Sequence, residues 1–192
     1  MTGRTHDLAA FTAFSYVAAT VALPHISFAT VIVSLSANLI GGLTPDIDQP
    51  TADLWHKFPA GTLIGKVLYP LLGGHRFLSH SILGIVLFGI GAKFLLQAMS
   101  GVLLVNMDIV WWSFMIGYIS HLVMDTFTHE GVPWLFPIPV RFGVPPFKAL
   151  RMKTGGIIEK SIVFPGLMIL TGYIYYAHYA AFVHILKAYI QK

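Results

Sequence analysis

Five long apolar runs constrain this chain more than any other feature of its sequence. They cover about 8–23, 26–44, 79–104, 109–128 and 161–182, and about 20 apolar residues are enough for a helix to cross a bilayer core. Hydrophobic residues make up 56% of the chain and charged residues only 10%, whereas about a quarter of a soluble protein is charged. The sequence therefore predicts an all-α, polytopic membrane helical bundle of about five transmembrane helices, with 1–192 forming a single integral membrane domain.

Two of these runs have features that complicate their assignment. The first resembles a signal peptide, because Arg4 precedes apolar residues that extend to Leu23. No small-x-small cleavage site follows and a second apolar run starts at once, so we expect a retained helix. The third run contains Lys93, which predicts either that this lysine extends its amine towards the interface or that the helix is broken there.

Two long connections, 45–78 and 129–160, separate the runs. In the first, apolar residues between 63 and 72 recur at helical spacing with Lys66 opposite them, which predicts an amphipathic helix in the membrane interface or a short re-entrant segment. The second holds five prolines among aromatic residues. Because proline interrupts helices, this pattern favours an irregular cap at headgroup depth.

The distribution of positive charge predicts the orientation in the membrane. Nine lysines and arginines lie on the side of the N-terminus and the two long connections, and only Lys187 and Lys192 lie on the other. The positive-inside rule then makes both long loops cytoplasmic. Because the basic residues are spread over loops, the net charge of +4 does not indicate nucleic-acid binding. We expect a multi-pass protein of a bacterial inner membrane or an archaeal plasma membrane.

The absence of cysteine limits the chemistry open to this chain. With no cysteine among its 192 residues, disulfides, thiolate zinc sites and iron–sulfur clusters are excluded. Any metal ion must be held by nitrogen and oxygen atoms.

Histidines and carboxylates gather near the span ends on the predicted cytoplasmic side. Ionisable groups beside membrane helices cost several kcal/mol unless they pair or bind an ion. Their convergence from five helices therefore predicts a shared partner, and a metal ion is the simplest one. The eight residues are His6, Asp46, Asp48, His75, His80, His121, Asp125 and Glu159.

Local spacing supports this prediction. His121 and Asp125 are four residues apart, which places both on one helix face, and His129 extends the row if the helix continues. Gly41-Gly42 and Pro45 are expected to end the second helix, so that Asp46 and Asp48 lie on a tight turn. Each motif alone also has a structural explanation: a helix-terminating turn, a chance spacing, or a helix cap by Ser79 or Ser81.

Taken together in their order, these motifs resemble a known family. The motifs are Arg4-Thr5-His6, Pro45-Asp46-Ile47-Asp48, the stretch from His75 to Ser81, His121 with Asp125, and Gly155-Gly156 followed by Glu159. The chain resembles the LexA-regulated, membrane-bound metal-dependent hydrolases, the YdjM-like family, over nearly its whole length. That family commonly has threonine where Ser79 stands, which preserves a hydroxyl. The resemblance implies a metal-dependent hydrolase and supplies no substrate.

The roles follow from ligand chemistry. We predict one or two divalent ions, zinc or manganese, because imidazole and carboxylate suit these metals. Asp46 and Glu159 are expected to be ligands or acid–base groups, and Arg76 to hold a phosphate oxygen of a membrane lipid or lipid-linked phosphoester by a forked hydrogen bond. The predicted metal ligands are His6, Asp48, His75, His80, His121 and Asp125.

Three other classes of function remain open at this point. A metal-ion or proton-coupled transporter would also gather acids and histidines, although near the bilayer midplane on broken helices. A b-type haem protein would place two histidines on facing helices, and His80 with His121 form a candidate pair. A structural or interaction protein would tolerate the loss of any of these residues.

Overall fold

The computed structural model describes residues 1–21, 26–49, 55, 61–71 and 76–183. This part of the chain contains six named α-helices and a helical stretch at 179–183. Short 3-10 helices cover Thr44–Asp48 and Lys148–Leu150, and a π-helical turn, Glu159–Val163, leads into the last helix. Among these residues there is no β-strand, and the predicted all-α class is confirmed. The α-helices are α1 (Gly3–Thr20), α2 (Phe28–Leu43), α3 (Gly61–Leu71), α4 (Ile82–Met99), α5 (Met107–Thr126) and α6 (Phe164–Ala177).

Three helical segments are long and apolar enough to cross a membrane: Phe28–Asp48, Ile82–Met99 and Met107–Thr126. On the outer face of α4, seven large apolar side chains are 42% to 68% exposed: Ile82, Leu83, Val86, Leu87, Ile90, Phe94 and Leu95. A soluble monomer rarely exposes so large an apolar patch, so lipid is the natural environment of this surface. The predicted helical membrane bundle is thereby confirmed.

Helix α5 lies at the centre of the bundle. It packs against α1, α2 and α4, and α1 also packs against α2 and α6. The buried apolar core follows α5 through Phe114, Met115, Tyr118 and Leu122, and Val132 joins it from the connection that follows. The helix that carries His121 and Asp125 is therefore held in place by packing against three other helices.

The packing of α2 on α5 depends on glycines. A Cβ atom on Gly41 would lie 2.0 Å from the carbonyl oxygen of Phe114, and one on Gly117 would lie 2.0 Å from that of Asn38. Only glycine permits two helix backbones to approach so closely. Gly41 therefore lies inside α2 as a packing residue, while the helix ends two residues later and continues into the 3-10 turn that holds Asp46 and Asp48.

Several predicted boundaries need correction. Helix α1 begins at Gly3, five residues earlier than its apolar run, so His6 lies within the helix. Helix α4 continues through Lys93, whose Nζ atom lies 5.7 Å from the ring centroid of Trp111. Of the two alternatives predicted for this lysine, the helix break is therefore wrong. Helix α5 ends at Thr126, so His129 does not extend the row of His121 and Asp125.

The connections agree in part with expectation. Residues 61–71 form a helix, and its position in the membrane interface stays a prediction. The connection from 127 to 158 is irregular: Val132 and Phe142 exchange backbone hydrogen bonds of 2.8 and 2.9 Å. Its base is fixed to α4, because the backbone N–H of Ile82 donates to the carbonyl oxygen of Trp134 at 3.0 Å.

Candidate metal centre

His121 and Asp125 are buried on one face of α5, one turn apart. The Nδ1 atom of His121 lies 2.7 Å from the carbonyl oxygen of Gly42. Because a carbonyl can only accept, Nδ1 must donate, and this fixes the ring and leaves Nε2 to face the site. Nε2 lies 3.6 Å from Oδ2 of Asp125 and 3.6 Å from Oδ1 of Asp46.

His80 approaches the same point from the residues that precede α4. Its Nε2 atom lies 3.7 Å from Oδ1 of Asp46 and 3.7 Å from Oδ2 of Asp125. Burial alone would lower the pKa of His80, but Asp125, Asp48 and Asp46 outweigh it and raise the pKa to about 9. Three carboxylates, those of Asp46, Asp48 and Asp125, thus lie within 3.7 Å of the His80 ring nitrogens.

Asp48 lies behind His80, on the other side of its ring. Oδ2 of Asp48 is 3.6 Å from Nδ1 of His80, and it accepts hydrogen bonds from the Ser79 hydroxyl at 2.5 Å and from the Arg76 backbone N–H at 2.9 Å. Ser79 Oγ is also 3.0 Å from His80 Nδ1. A carboxylate behind a histidine is a common arrangement at metal sites, where it orients the ring and makes it more basic.

His6 completes the cluster from α1. Its ring stacks on that of His121, with centroids 3.6 Å apart and planes within 8°. Its Nε2 atom lies 3.2 Å from Oδ1 of Asp125. The two oxygens of Asp125 therefore face different histidines: Oδ1 faces His6, and Oδ2 faces His80 and His121.

Two groups of donor atoms in this cluster have the spacing of metal ligands. One consists of His6, His121 and Asp125, and the other of Asp46, His80 and His121; within each group the donor atoms lie within 4.8 Å of one another. His121 belongs to both. The Asp46 side chain is 28% exposed, while those of the histidines and Asp125 are at most 1% exposed, so the cluster opens to its surroundings beside Asp46.

Arg76 is a buried cation directly beside this cluster. Its Nη2 atom lies 2.5 Å from Oδ2 of Asp125, and its Nη1 donates to the hydroxyl of Thr128 at 3.0 Å. Its backbone φ of 59° is in the left-handed region, which a residue with a Cβ seldom adopts. The amino group of Met1 also contacts Asp125. Asp125 is thus the carboxylate on which the buried positive groups converge.

Glu159 is close to α1 but belongs to neither donor group. Its Oε1 atom accepts from the Thr2 backbone N–H at 2.7 Å and from the hydroxyls of Thr2 and Thr5 at 2.8 and 2.6 Å, and its Oε2 atom accepts from the Gly155 N–H at 2.7 Å. Burial would raise the pKa of Glu159, but these hydrogen bonds lower it to about 2. An anion at this position also complements the positive end of the helix dipole.

The structure thus brings together five of the predicted residues, His6, Asp46, His80, His121 and Asp125, and sets Asp48, Arg76 and Glu159 around them. His75 lies outside the described residues. Sequence reasoning missed the positioning role of Ser79 and the contribution of Thr2 and Thr5. The Gly42 carbonyl carries no signal in the sequence, because every residue has one.

Comparison with known proteins identifies the family of this chain. Residues 1–188 match the family described as YdjM inner membrane protein. The chain is 31% identical over 180 residues to a protein of Bacillus subtilis (strain 168) named "Uncharacterized protein YvsG", covering 92% of this chain and 95% of that one. It is 34% identical over 103 residues to the inner membrane protein YdjM of Escherichia coli (strain K12), covering 54% of this chain.

The same identity and coverage hold for the inner membrane protein YdjM of Shigella flexneri. The match spans about half of each of these two relatives, 48% of their length. No solved structure matches the chain. The predicted localisation in a cell membrane is confirmed, since the family is one of inner membrane proteins and three helices are long enough to span. The chain therefore belongs to the YdjM inner membrane protein family.

Proposed function

We propose that this protein is a metal-dependent hydrolase whose site opens at the cytoplasmic face of the membrane. The observation that carries the proposal is the convergence of imidazole nitrogens and carboxylate oxygens from α1, α5 and two turns at helix ends, with donor atoms within 4.8 Å of one another in each of two groups. Buried polar groups are costly unless they are paired. An ion bound between them would offset that cost.

The donor set fits a divalent metal ion. His121 Nε2 is buried and makes no hydrogen bond within the described part of the chain, while its Nδ1 is held by Gly42. This is the state that a histidine ligand requires, because the metal binds the nitrogen opposite the one that donates. Nitrogen and oxygen donors without thiolates suit zinc or manganese.

The cluster also suggests how one or two ions would be shared. His121 has a single nitrogen available, so it can bind one ion only. Asp125 presents one oxygen to His6 and the other to His80 and His121. We therefore assign the bridging role in a two-ion site to Asp125, and an orienting role behind His80 to Asp48, which we predicted from sequence to be a ligand.

A bound ion would supply Lewis-acid polarisation of the bond to be cleaved and would acidify a water molecule. Asp46 is suited to accept the proton of an attacking water, because it is the exposed member of the cluster and faces both His80 and His121 at 3.6–3.7 Å. Arg76 holds Asp125 in place; its direct contact with a phosphate stays a prediction. Glu159 positions His6 by fixing the first turn of α1.

The geometry supports hydrolysis over two of the alternatives, a transporter and a haem protein. Transporter sites usually lie near the midplane on broken helices, whereas this cluster lies at the ends of α2 and α5, and α2, α4 and α5 are continuous. The rings of His80 and His121 have centroids 5.3 Å apart, and both Nε2 atoms already face Asp46 and Asp125. That arrangement favours an ion held by imidazole and carboxylate together over a haem held by the two histidines.

The position of the site suggests the class of substrate. The cluster lies where spanning helices end, so a substrate would approach at the level of the lipid headgroups. The lipid or lipid-linked phosphoester predicted from sequence is therefore the substrate class that we propose. Zinc and manganese hydrolases commonly act on such esters by polarising the phosphoryl group.

Metal analysis of the purified protein tests the proposal. We expect His121→Ala and Asp125→Ala each to lower the bound metal at least several-fold, and His129→Ala to leave it unchanged, because His129 is near the site in the chain but outside both donor groups. Wild type and variants are then compared in the hydrolysis of phospholipids and lipid phosphates. A metal-free wild type, or equal metal in the His121 and His129 variants, would refute the site.

The transporter alternative predicts a different result. Metal would bind with the same dependence on His121 and Asp125, but proteoliposomes would accumulate the ion and no ester would be cleaved. Loading of wild-type proteoliposomes with zinc or manganese, measured beside the hydrolysis assay, separates the two functions.

A further inference from the structure

The connection between α5 and α6 has a distinctive charge pattern. Between 131 and 158 the chain contains Arg141, Lys148, Arg151 and Lys153 and no aspartate or glutamate. These 28 residues therefore carry +4, which equals the net charge of the whole chain. A segment with basic residues only is attracted to anionic surfaces.

The same connection exposes large apolar side chains, although it is not part of a spanning helix. Leu135 is 47% exposed, Ile138 53%, Phe147 71%, Leu150 68% and Ile157 82%. Exposed apolar groups in such number on a short segment indicate contact with lipid or with another protein. The neighbouring positive charge helps to distinguish contact with lipid from contact with another protein.

Residues 147–150, which we call the apolar turn, show the pattern most clearly. The backbone N–H of Leu150 donates to the carbonyl oxygen of Phe147 at 3.0 Å, and Lys148–Leu150 is a 3-10 helix. In a 3-10 helix, residues three apart lie on the same side. Phe147 and Leu150 therefore form one exposed apolar surface, with Lys148 beside it.

The apolar turn is held in shape by its own connection. Nε of Arg151 donates to the carbonyl oxygen of Pro145 at 2.7 Å, and Nη2 of Arg151 donates to that of Pro146 at 2.9 Å. The backbone N–H of Met152 donates to the carbonyl oxygen of Phe127 at 3.1 Å, next to the end of α5. The Arg151 guanidinium thus forms its hydrogen bonds within the connection. The bond from Met152 fixes the position of the turn relative to the bundle.

The neighbouring lysines keep their charge available. Lys148, Lys153 and Lys160 are exposed, and none of them forms an ion pair with another described residue. Glu159, the nearest acid in the sequence, is buried and accepts hydrogen bonds from Thr2, Thr5 and Gly155. The positive charge beside the apolar turn is therefore not neutralised by this part of the chain.

We propose that the apolar turn inserts into the headgroup layer of the membrane and that Lys148 and Lys153 bind the phosphates of anionic phospholipids. Both ends of the connection lie at the membrane face that carries the candidate metal centre, since it starts at the end of α5 and finishes at the start of α6. Exposed Phe and Leu bury apolar surface at the acyl boundary, and lysines are attracted to the anionic leaflet. The proposal does not depend on the metal or on hydrolysis.

The absence of cysteine makes the insertion directly measurable. Leu150→Cys carries a single thiol that accepts a nitroxide label, and Ile90→Cys on the exposed face of α4 provides a reference within the bilayer. In nanodiscs containing phosphatidylglycerol, we expect the label at 150 to be accessible to oxygen and protected from a water-soluble nickel complex, as at 90. A label at 150 that the nickel complex reaches as easily as free label in water overturns the proposal.

Lipid preference tests the role of the lysines. We expect the wild type to prefer phosphatidylglycerol over phosphatidylcholine in competition between the two spin-labelled lipids, and Lys148→Gln to reduce that preference about five-fold. Lys93→Gln, which removes an exposed lysine from α4, is the matched control and should change it less than two-fold. Equal effects of the two variants would refute lipid binding at Lys148.

A protein partner is distinguished in the same samples. If a second copy of the chain covers the apolar turn, protection of the label at 150 will rise with the protein-to-lipid ratio and will not respond to phosphatidylglycerol, and this result also overturns the proposal. Metal content is measured in every variant. Because none of these residues touches the cluster, unchanged metal with a failed lipid test leaves the proposed function standing.

Discussion

The two halves of the bundle are built differently, although the same helices form both. At the end that carries the candidate metal centre, α1, α2 and α5 are packed through small residues: a Cβ atom on Gly42 would lie 3.2 Å from that of Ala10. Towards the other end the helices α1, α2, α5 and α6 line a partly open apolar cavity of about 920 Å³, whose walls include Phe14, Leu35 and Trp112.

This difference shows where the fold requires precise geometry. Donor atoms must lie within a few tenths of an ångström of their positions to bind a metal, and close backbone packing supplies that rigidity. A cavity inside a membrane protein has no such requirement, because lipid chains or mobile side chains can fill it. We therefore expect the end with the candidate metal centre to tolerate few substitutions that change side-chain size, and the end with the cavity to tolerate many.

The largest expected effect comes from Gly117→Ala at the tight end. The added methyl group would lie 2.0 Å from the carbonyl oxygen of Asn38, which is backbone and cannot move aside without separating α2 from α5. We expect a loss of about 3 kcal/mol in the free energy of unfolding, the upper end of the usual cost of overpacking, seen as a collapse of the monodisperse peak in fluorescence-detected gel filtration.

Gly91→Ala is the matched control for that variant. Gly91 is on α4, and a Cβ atom there would have nothing within 4 Å. The change should preserve or slightly raise the melting temperature, because alanine is the better helix former by about 1 kcal/mol. Equal behaviour of the two variants would show that the α2–α5 contact is not as close as described.

The next effect concerns the residue behind the cluster. Asp48→Asn should weaken metal binding about 10- to 100-fold, the usual cost of losing a partner that orients a histidine ligand, while Asp125→Asn should nearly abolish it. The physical reason is that Asp48 contacts Ser79 and His80 Nδ1, whereas Asp125 contributes donor atoms. Competitive titration with a chelator measures both; an equal loss would make Asp48 a direct ligand.

A smaller and pH-dependent effect is expected from Glu159→Gln. The amide would place an N–H group against one of the N–H or O–H donors that now point at the carboxylate, so the melting temperature should fall by a few degrees at neutral pH. Because hydrogen bonding lowers the pKa of Glu159 from 4.5 to about 2, the ionised carboxylate stabilises the folded protein above pH 4.5, and this contribution is lost as the pH falls towards 2.

The difference in melting temperature between wild type and Glu159→Gln should therefore be constant from neutral pH to about pH 5 and shrink at lower pH. Thermal unfolding at a series of pH values checks this. A difference that grows on acidification would have the wrong sign and would exclude the proposed role of the ionised carboxylate.

The smallest effect is expected in the loosely packed half. Ala18→Leu adds a side chain to the wall of the cavity, and we expect the free energy of unfolding to rise by at most about 1 kcal/mol, as for other cavity-filling changes. Metal content should be unchanged. A strong loss of stability would show that the helices are as closely packed there as at Gly117, and the contrast between the two halves would disappear.

The sequence by itself determined much of this protein. Hydropathy predicted the helical membrane class and, of the five predicted spans, the three whose helices are long and apolar enough to cross a membrane, because burying an apolar segment in lipid depends on its composition and length alone. The i, i+4 spacing placed His121 and Asp125 on one face, because that relation is internal to a helix. The ordered motifs also pointed to the family that the comparison confirms.

Only the tertiary structure showed which of the predicted residues offer donor atoms to the cluster and which ones lie around it. Asp46 and Asp48 are two residues apart, and the sequence predicted Asp48 as a metal ligand and Asp46 as a ligand or acid–base group. In the structure the 3-10 turn directs Asp46 to His121 and places Asp48 behind His80. Likewise Arg76 contacts Asp125, and Glu159 fixes the first turn of α1. These contacts join helices that are far apart in the chain, and they depend on how each helix is rotated and how closely its backbone approaches the next, which the packing of side chains in three dimensions decides.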